Sequence, residues 1–239
     1  MSQGAGLRQG YGPAGGGRNK RFALDVDLVD GDLYDRLHGG WFGRCVGQGG
    51  RNDLTTENIS HLVGLESFGL DYSPDSPPDS PDLWAFVYPG RPDKAVELAL
   101  RNADGPADGK RVSYACLAAM VSSAFALTDV REIVDIGVRL AGADRGAFDP
   151  QWQISEISKC LLDGAGDFCE SLRLAGLGSA VAGSVGCVLG VMLESQGIPD
   201  AAKRDLEDRI GNPVEGGTTR ISELGRRTLE VVRTLGTNP

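Results

Sequence analysis

The sequence predicts an all-α fold: a single compact helical domain built around a central buried helix that is rich in glycine. Apolar residues recur at helical spacing through most of the chain, and strand signals are nearly absent. In addition, the segment from Leu174 to Leu193 runs without one charged residue. A helix that is apolar on every side is typically surrounded by protein, so this segment is the predicted centre of the core.

The chain divides into a tail over residues 1–24 and a helical domain over residues 25–239. We expect the tail to be disordered, because a glycine-rich run cannot bury enough apolar surface to fold. Pro, Ser and Asp dominate residues 71–82, which predicts an extended loop between two helical blocks. The predicted helices are Asp32 to Gly47, Thr55 to Gly69, Pro92 to Asn102, Val112 to Leu127, Asp129 to Ala141, Ile154 to Leu162, Phe168 to Leu174, the Gly-rich segment, Asp200 to Ile210 and Ile221 to Leu235.

Local signals support several of these boundaries. Thr128 stands where an N-cap is expected, and Ser222 with Glu223 opens the last helix with residues that suit its positive end. The one short run with strand character is Trp84 to Tyr88.

Small residues at helical spacing characterise the Gly-rich segment. Gly176, Gly178, Ala182, Gly186 and Gly190 predict a face that a neighbouring helix approaches closely. The segment is also long enough to span a bilayer, and it contains a GxxxG pair. We favour a buried core helix, because no other long apolar segment is present and Gly and Ser lower the tendency to insert.

The charge balance argues against a nucleic-acid partner. The 239 residues include 33 acidic and 24 basic side chains, for a net charge of −9. Non-specific affinity for nucleic acid needs clustered Lys and Arg, which the helical domain lacks. No stretch resembles a secretory signal, so we expect a cytoplasmic protein that does not associate with membranes.

The cysteines predict neither disulfides nor a zinc site. Their number, 5, is odd, and they are scattered without CxxC spacing. Without an export signal, buried free thiols are the expected state.

Five segments, collinear along the chain, carry a resemblance to a known family. They are DRLHGGWFGRCVG from Asp35, DLWAFVYPGRPDKAVELALRNA from Asp82, YACLAAMVSSAFALTDVREIV from Tyr114, GSVGCVLGVMLESQGIP from Gly183 and ISELGRRTLEVV from Ile221. Together they resemble the ADP-ribosylglycohydrolase family, whose members are all-α. The resemblance covers most of the chain after Asp35.

The resemblance implies a site for two Mg²⁺ ions, and this chain departs from it. The family's late carboxylate segment falls on residues 177–179, which are Leu, Gly and Ser, and its following Thr falls on Ser184. The early carboxylate segment has no counterpart between Asp71 and Trp84. Residues 45–48 also carry no charge where the family commonly has an Asp. Hydroxyls alone do not replace carboxylates around a hard dication, so we expect no metal, no other cofactor and no hydrolysis of ADP-ribose.

Two functions remain open. The first is a degenerate ADP-ribosylglycohydrolase-like protein that binds a small molecule or a partner in the remaining cleft. The second is a metal-independent enzyme of specialised metabolism, such as an isomerase, cyclase or lyase, that reuses the cleft. We assign no catalytic residue. The candidate ligand-binding residues border the first helix and the start of the Gly-rich helix, and they are Arg44, Gln48, Arg51, Asn52, Ser179 and Ser184.

A homodimer is also expected. Loss of the early part of the family fold leaves an apolar face that the family covers, and a second copy is one way to bury it. The run from Asn52 to Thr55 faintly matches the metal-diphosphate motif of isoprenoid cyclases, but the chain contains no Asp-Asp pair. Capping of the next helix by Asn52 or Thr55 is the simpler interpretation.

Overall fold

The computed structural model describes residues 30–48, 82–102, 109–142, 154–204, 206, 208 and 220–236. These residues form α-helices joined by turns, without a strand among them, and the predicted all-α class is confirmed. The helices are α1 (Asp30–Gly47), α2 (Asp82–Phe86), α3 (Pro92–Asn102), α4 (Gly109–Ala124), α5 (Val130–Leu140), α6 (Ile154–Asp163), α7 (Phe168–Ala175), α8 (Ala180–Gly197), α9 (Asp200–Lys203) and α10 (Ile221–Gly236).

The short aromatic run after the Pro-rich loop does not form a strand. The strand-like run from Trp84 to Tyr88 begins inside α2 and ends in a turn. Asp82, assigned to the loop, is the first residue of α2. An acidic residue in the first turn suits the positive end of a helix. The aromatic side chains are apolar enough to be buried on a helix as well as on a strand.

The Gly-rich segment is not one continuous helix. α7 ends at Ala175, and α8 begins at Ala180. Between them, Gly176 and Gly178 have φ angles of 73° and 88°, in the left-handed region that ends a helix. These two glycines therefore make the turn into α8, instead of extending the small-residue face as predicted.

Two further boundaries differ from the prediction. Asp129, and not Thr128, is the N-cap of α5, and its carboxylate accepts a hydrogen bond from the amide of Arg131 at 2.8 Å. Of the helix predicted from Asp200 to Ile210, the described residues show a helix over Asp200–Lys203 and turns at Arg204, Leu206 and Asp208. The tail over residues 1–24, residues 71–81 of the Pro-rich loop and the helix predicted from Thr55 to Gly69 lie outside the described residues.

α8 is a core helix, as its composition predicts. Every residue from Val181 to Met192 is buried. By length and composition alone α8 could cross a membrane, but 67% of it is buried inside the protein. The largest side chains that are fully buried with it belong to α1, α2, α4, α5, α6 and the turn after α4, and they are Trp41, Phe86, Phe125, Leu37, Leu117, Met120, Ile133, Ile136, Ile154 and Leu161.

α1 and α8 pack against each other through glycine. α1 carries a glycine at every fourth position along one face, and each meets a small residue of α8. A Cβ added to any of these α1 glycines would overlap a backbone carbonyl oxygen of α8. Residue numbers rise along α1 as they fall along α8, so the two helices are antiparallel. The opposed residues are Gly39 and Gly190, Gly43 and Gly186, and Gly47 and Ala182.

The close packing ends at a break in α8. Glu194 has φ 61° and ψ 167°, which is not helical, and its carbonyl carbon would lie 2.8 Å from a Cβ added at Gly39. Arg36 of α1 contacts the residue at this break, because its Nη2 lies 3.0 Å from Oε1 of Glu194. Its Nη1 donates to the carbonyl oxygens of Ala124 and Val191 at 3.3 and 3.4 Å. One guanidinium thus bridges the ends of α4 and of the regular part of α8.

Candidate functional site

The ends of three helices meet at one place in the fold. α1 ends where α8 begins, because Gly47 lies opposite Ala182. The amide of Gly178, in the turn before α8, donates to the carbonyl oxygen of Gly47 at 2.8 Å and joins the two ends. The start of α2 reaches the same end of α1 through Asp82. We call this place the α1–α8 end.

A buried ion pair lies at the α1–α8 end. Nη1 of Arg44, in the last turn of α1, contacts Oδ2 of Asp82. The side chains of Arg44 and Asp82 are 11% and 1% exposed, so both charges are nearly removed from water. Burial lowers the pKa of the Arg44 guanidinium from its ordinary value, while the contact with a carboxylate favours the charged form. Burial of either charge alone carries a large desolvation penalty, which the contact between them offsets in part.

The face of α1 that carries Arg44 also provides space for α2. Gly40, one turn before Arg44, has room for the ring of Phe86: a Cβ added at Gly40 would lie 2.9 Å from Cε1 of that ring. Phe86 is fully buried and is also 5.0 Å from Trp41, ring centre to ring centre. An aromatic contact at one end of α2 and an ion pair at the other thus fix α2 along α1.

Gln48 lies over the first turns of α8. The backbone amide of Gln48 donates to the backbone carbonyl oxygen of Arg44 at 3.0 Å, which continues the hydrogen-bond pattern of α1 by one residue. A Cβ added at Gly183 would lie 2.9 Å from Cγ of Gln48. The residue is buried, although its side chain is polar. Gln48 and Arg44 therefore lie one helical turn apart, on the side of α1 that faces α8 and α2.

Ser179 is the N-cap of α8. Its Oγ accepts a hydrogen bond from the amide of Ala182 at 3.0 Å and donates one to the carbonyl oxygen of Ala175 at 2.9 Å. These bonds satisfy an orphan donor of α8 and a carbonyl at the end of α7. Ser179 is thus already used by the fold, and a ligand there would have to share its hydroxyl.

Three of the predicted ligand-binding residues remain, and the structure describes one of them. Ser184 is buried in the second turn of α8, next to Gly183 and therefore near Gln48. Arg51 and Asn52 lie outside the described residues. The structure thus brings Arg44, Gln48, Ser179 and Ser184 to one end of the α1–α8 pair.

Two buried thiols beside Arg44 are poor nucleophiles. Burial raises the pKa of Cys45 to about 12 and that of Cys187 to about 12, although the nearby guanidinium opposes both shifts. A nucleophilic cysteine needs a lowered pKa, because the thiolate is the reactive form. The prediction of buried free thiols holds for four of the cysteines, whereas Cys169 on α7 is exposed.

The residues that the family resemblance places at a metal do not fit one. Leu177 and Gly178 offer no side-chain ligand, and the hydroxyl of Ser179 caps α8. Within the described part of the chain, no group of three or more His, Cys, Asp or Glu is positioned to hold a metal ion. Two Mg²⁺ ions need several carboxylate oxygens, and the described residues at the start of α8 offer the hydroxyl of Ser179 instead.

Asp82 is the site residue that sequence reasoning missed. The sequence places it at the end of the Pro-rich loop, and it is far from Arg44 along the chain. One local signal was present: an acidic residue directly before an apolar run is typical of a helix start. The glycines of α1 were also missed as the partners of α8, although their spacing of four residues is visible.

The comparisons with known proteins add no relative. No family model matches the chain, and neither a curated protein nor a solved structure matches it significantly.

Proposed function

We propose that this chain is a ligand-binding protein that resembles ADP-ribosylglycohydrolases, lacks their metal chemistry and does not hydrolyse ADP-ribose. Its ligand is a small, uncharged, polar molecule that binds at the α1–α8 end beside Arg44 and Gln48. The buried ion pair between Arg44 and Asp82 is the observation that carries this proposal.

The ion pair favours an uncharged ligand. Arg44 supplies one positive charge and Asp82 balances it, so the pair has no net charge to offer an anion. A phosphate group brought to Arg44 would also approach the carboxylate of Asp82. At an effective dielectric constant of about 20, two like charges about 4 Å apart repel by about 4 kcal/mol. A dinucleotide such as ADP-ribose is therefore a poor ligand for this arrangement.

The Nε of Arg44 is a donor that a ligand can use. This atom is buried and has no hydrogen-bond partner among the described residues. An unsatisfied buried donor costs about 1–3 kcal/mol, and a carbonyl or hydroxyl oxygen of a ligand would recover part of that cost. Gln48 adds an amide that both donates and accepts, and Ser184 adds a hydroxyl. Such a set of groups suits an amide or a polyol.

The alternative, a metal-independent isomerase, cyclase or lyase of specialised metabolism, has less support at this position. Acid–base catalysis works best with a group whose pKa lies near the working pH. Beside Arg44 the thiols of Cys45 and Cys187 have pKa values of about 12, far from that range. We therefore favour binding without turnover.

The proposal includes a cytoplasmic location and leaves homodimer formation as its expected assembly. Within the described residues, the large apolar side chains that are exposed are Leu174 and Leu177, at the end of α7 and in the turn before α8. A dimer contact at that turn would lie next to the α1–α8 end. Light scattering at high concentration tests it, and a monodisperse monomer would count against it.

The preference for an uncharged ligand is measured by thermal unfolding. Thermal unfolding is followed with ribose, adenosine and nicotinamide as uncharged probes, and with AMP and ADP-ribose as anionic probes. We expect stabilisation by an uncharged probe and none by the anions; a ligand at one hundred times its dissociation constant adds about 2.7 kcal/mol. Arg44→Met should abolish the effect. Asp82→Asn is the matched variant, because it leaves Arg44 unbalanced and should shift preference toward the anions.

Two outcomes would overturn the proposal. One is tighter binding of AMP or ADP-ribose than of every uncharged probe by the unmodified protein. The other is release of free ADP-ribose or ribose products from ADP-ribosylated substrate, detected by mass spectrometry.

A further inference from the structure

His38 fills the contact between α1 and α10, away from the α1–α8 end. Its ring stacks on Tyr34, with centroids 5.6 Å apart and planes 23° apart, and meets the edge of Phe42 at 6.0 Å. Gly225 of α10 lies against its backbone, where an added Cβ would be 3.3 Å from the His38 Cα. The side chain of His38 is 20% exposed. The imidazole is thus part of the packing between the two helices.

The start of α10 is tied to the same place by Asp208. Its Oδ1 accepts a hydrogen bond from the amide of Ser222 at 2.7 Å, and its Oδ2 accepts one from Oγ of Ser222 at 2.6 Å. Asp208 holds this position at a φ of 58°, in the left-handed region that an Asp adopts at a cost. The hydroxyl of Tyr34 donates to the carbonyl oxygen of Ser222 at 3.2 Å. Asp208 and Tyr34 together anchor the first turn of α10 on α1.

His38 approaches this anchor without bonding to it. Nε2 of His38 lies 3.9 Å from Oδ1 of Asp208, which is too far for a hydrogen bond. The Nε2 atom is buried and has no hydrogen-bond partner among the described residues. A proton added to Nε2 would therefore place a charge in an apolar and aromatic setting, beside a carboxylate that is already occupied by Ser222.

We infer that the contact between α1 and α10 is an acid-sensitive joint, in which protonation of His38 loosens the packing and releases the first turns of α10. The charged imidazole gains hydration only if the helices separate. A hydrogen bond to Asp208 requires Nε2 and Oδ1 to approach each other from 3.9 Å, which displaces the carboxylate that holds the start of α10.

The charges around His38 do not offset the cost of burying a protonated imidazole. Burial is the largest influence on His38 and lowers its pKa; Asp208 and Asp35 act in the opposite direction, and Lys203 lowers the pKa further. The folded protein therefore binds the proton less readily than the unfolded chain. Stability is full above the ordinary histidine pKa and is lost as pH falls below it. The titratable or charged groups that face this joint are Tyr34 and Asp35 on α1, Lys203 on α9, Asp208, and Glu223 and Arg226 on α10.

Hydrogen–deuterium exchange of the full chain tests the joint. Amides in the first half of α10 are followed at about pH 7.5 and about pH 5.5, corrected for intrinsic exchange and referenced to α4. The opened state binds the proton more readily than the packed state, so we expect faster relative exchange in acid, by up to about tenfold for each unit by which the packing lowers the pKa. His38→Gln, which cannot be protonated, should lose this difference. His61→Gln, which changes the other histidine of the sequence, should keep it.

A second measurement does not depend on how well the His38 variant folds. The imidazole proton of His38 is titrated by NMR in the unmodified protein and assigned by comparison with His61→Gln. A midpoint below about 6.5 is expected, and a midpoint at or above the ordinary value would overturn the inference. Equal relative exchange of α10 at both pH values in the unmodified protein would overturn it as well.

Discussion

Gly43 of α1 and Gly186 of α8 meet so closely that neither position has room for a side chain. A Cβ added at either residue would overlap the carbonyl oxygen of the other. The obstacle in both cases is backbone, which cannot rotate aside as a side chain can. This contact sets the distance between the two helices and brings Arg44 and Gln48 to the start of α8.

Gly186→Leu should therefore destabilise the protein strongly. Overpacking of a close interior contact typically costs about 1–3 kcal/mol, and a backbone obstacle places this variant at the upper end or beyond. Gly43→Ala should destabilise it for the same reason. Urea unfolding measures the change as a lower midpoint at an unchanged m value.

Gly31→Ala provides the matched control on the same helix. No atom of the described residues lies within 4 Å of the position that its Cβ would take. Alanine is favoured over glycine inside a helix by about 0.5–1 kcal/mol, so this variant should be neutral or stabilising. If Gly31→Ala and Gly43→Ala lowered the midpoint equally, the effect would reflect glycine content and not the helix contact.

The sequence predicted the close approach to α8 better than it predicted the partner. Gly186 and Gly190 stand out because the segment around them is uniformly apolar. The glycines of α1 lie among Trp, Arg and Phe, and their shared face becomes evident only when α8 is placed against it. Local pattern defines which faces are small, while the pairing of faces depends on the whole fold.

The residues of the candidate site were likewise only partly predictable from the sequence. The family resemblance predicts that Arg44, Gln48, Ser179 and Ser184 share a site, and the antiparallel packing of α1 and α8 brings them to one end of the pair. Asp82 was missed because an ion pair between distant segments leaves no periodic signal. The Pro-rich run before it also favoured a loop over a helix start.

Breaking the buried ion pair should cost far more than breaking an exposed one. Arg44→Met removes the guanidinium that contacts the buried carboxylate of Asp82, and breaking a buried pair in this way typically costs about 3–5 kcal/mol. Combining Arg44→Met with Asp82→Asn should recover part of the loss, because the buried negative charge is then absent. Urea unfolding of the two single variants and the double variant measures the coupling.

Arg173→Ala serves as the comparison for that cycle. Arg173 pairs with Glu170 through Nη2 at 2.6 Å, but their side chains are 67% and 46% exposed. Exposed pairs of this kind often contribute nothing measurable, so the unfolding midpoint should not change. Additive effects of Arg44→Met and Asp82→Asn would contradict the description of this pair as mutually dependent.

Glycine should be preferred over alanine at the break in α8. The conformation of Glu194, with φ 61° and ψ 167°, is essentially restricted to glycine and costs other residues about 1–3 kcal/mol. Glu194→Gly and Glu194→Ala both remove the contact with Arg36, so their difference isolates the backbone. We expect the glycine variant to be more stable by about 1–3 kcal/mol in thermal unfolding. Equal stability would mean that the break relaxes to helical geometry.

Magnesium should not stabilise this fold. A dication that binds the native state at one hundred times its dissociation constant adds about 2.7 kcal/mol, which is several degrees in melting temperature for a chain of this size. The start of α8 offers the hydroxyl of Ser179 and no carboxylate where the family has its late metal ligands. Millimolar Mg²⁺ should therefore leave the melting temperature unchanged, with or without a chelator.

Ser179→Asp makes this test sharper, because it adds a carboxylate without removing the cap. Aspartate is as good an N-cap as serine, so α8 should remain intact, whereas Ser179→Ala should cost about 1 kcal/mol. One carboxylate does not complete a site for two dications, and Ser179→Asp should gain neither Mg²⁺ stabilisation nor hydrolysis of ADP-ribose. Recovery of either property in this variant would show that the chain retains further metal ligands, and the proposed loss of the centre would then be wrong.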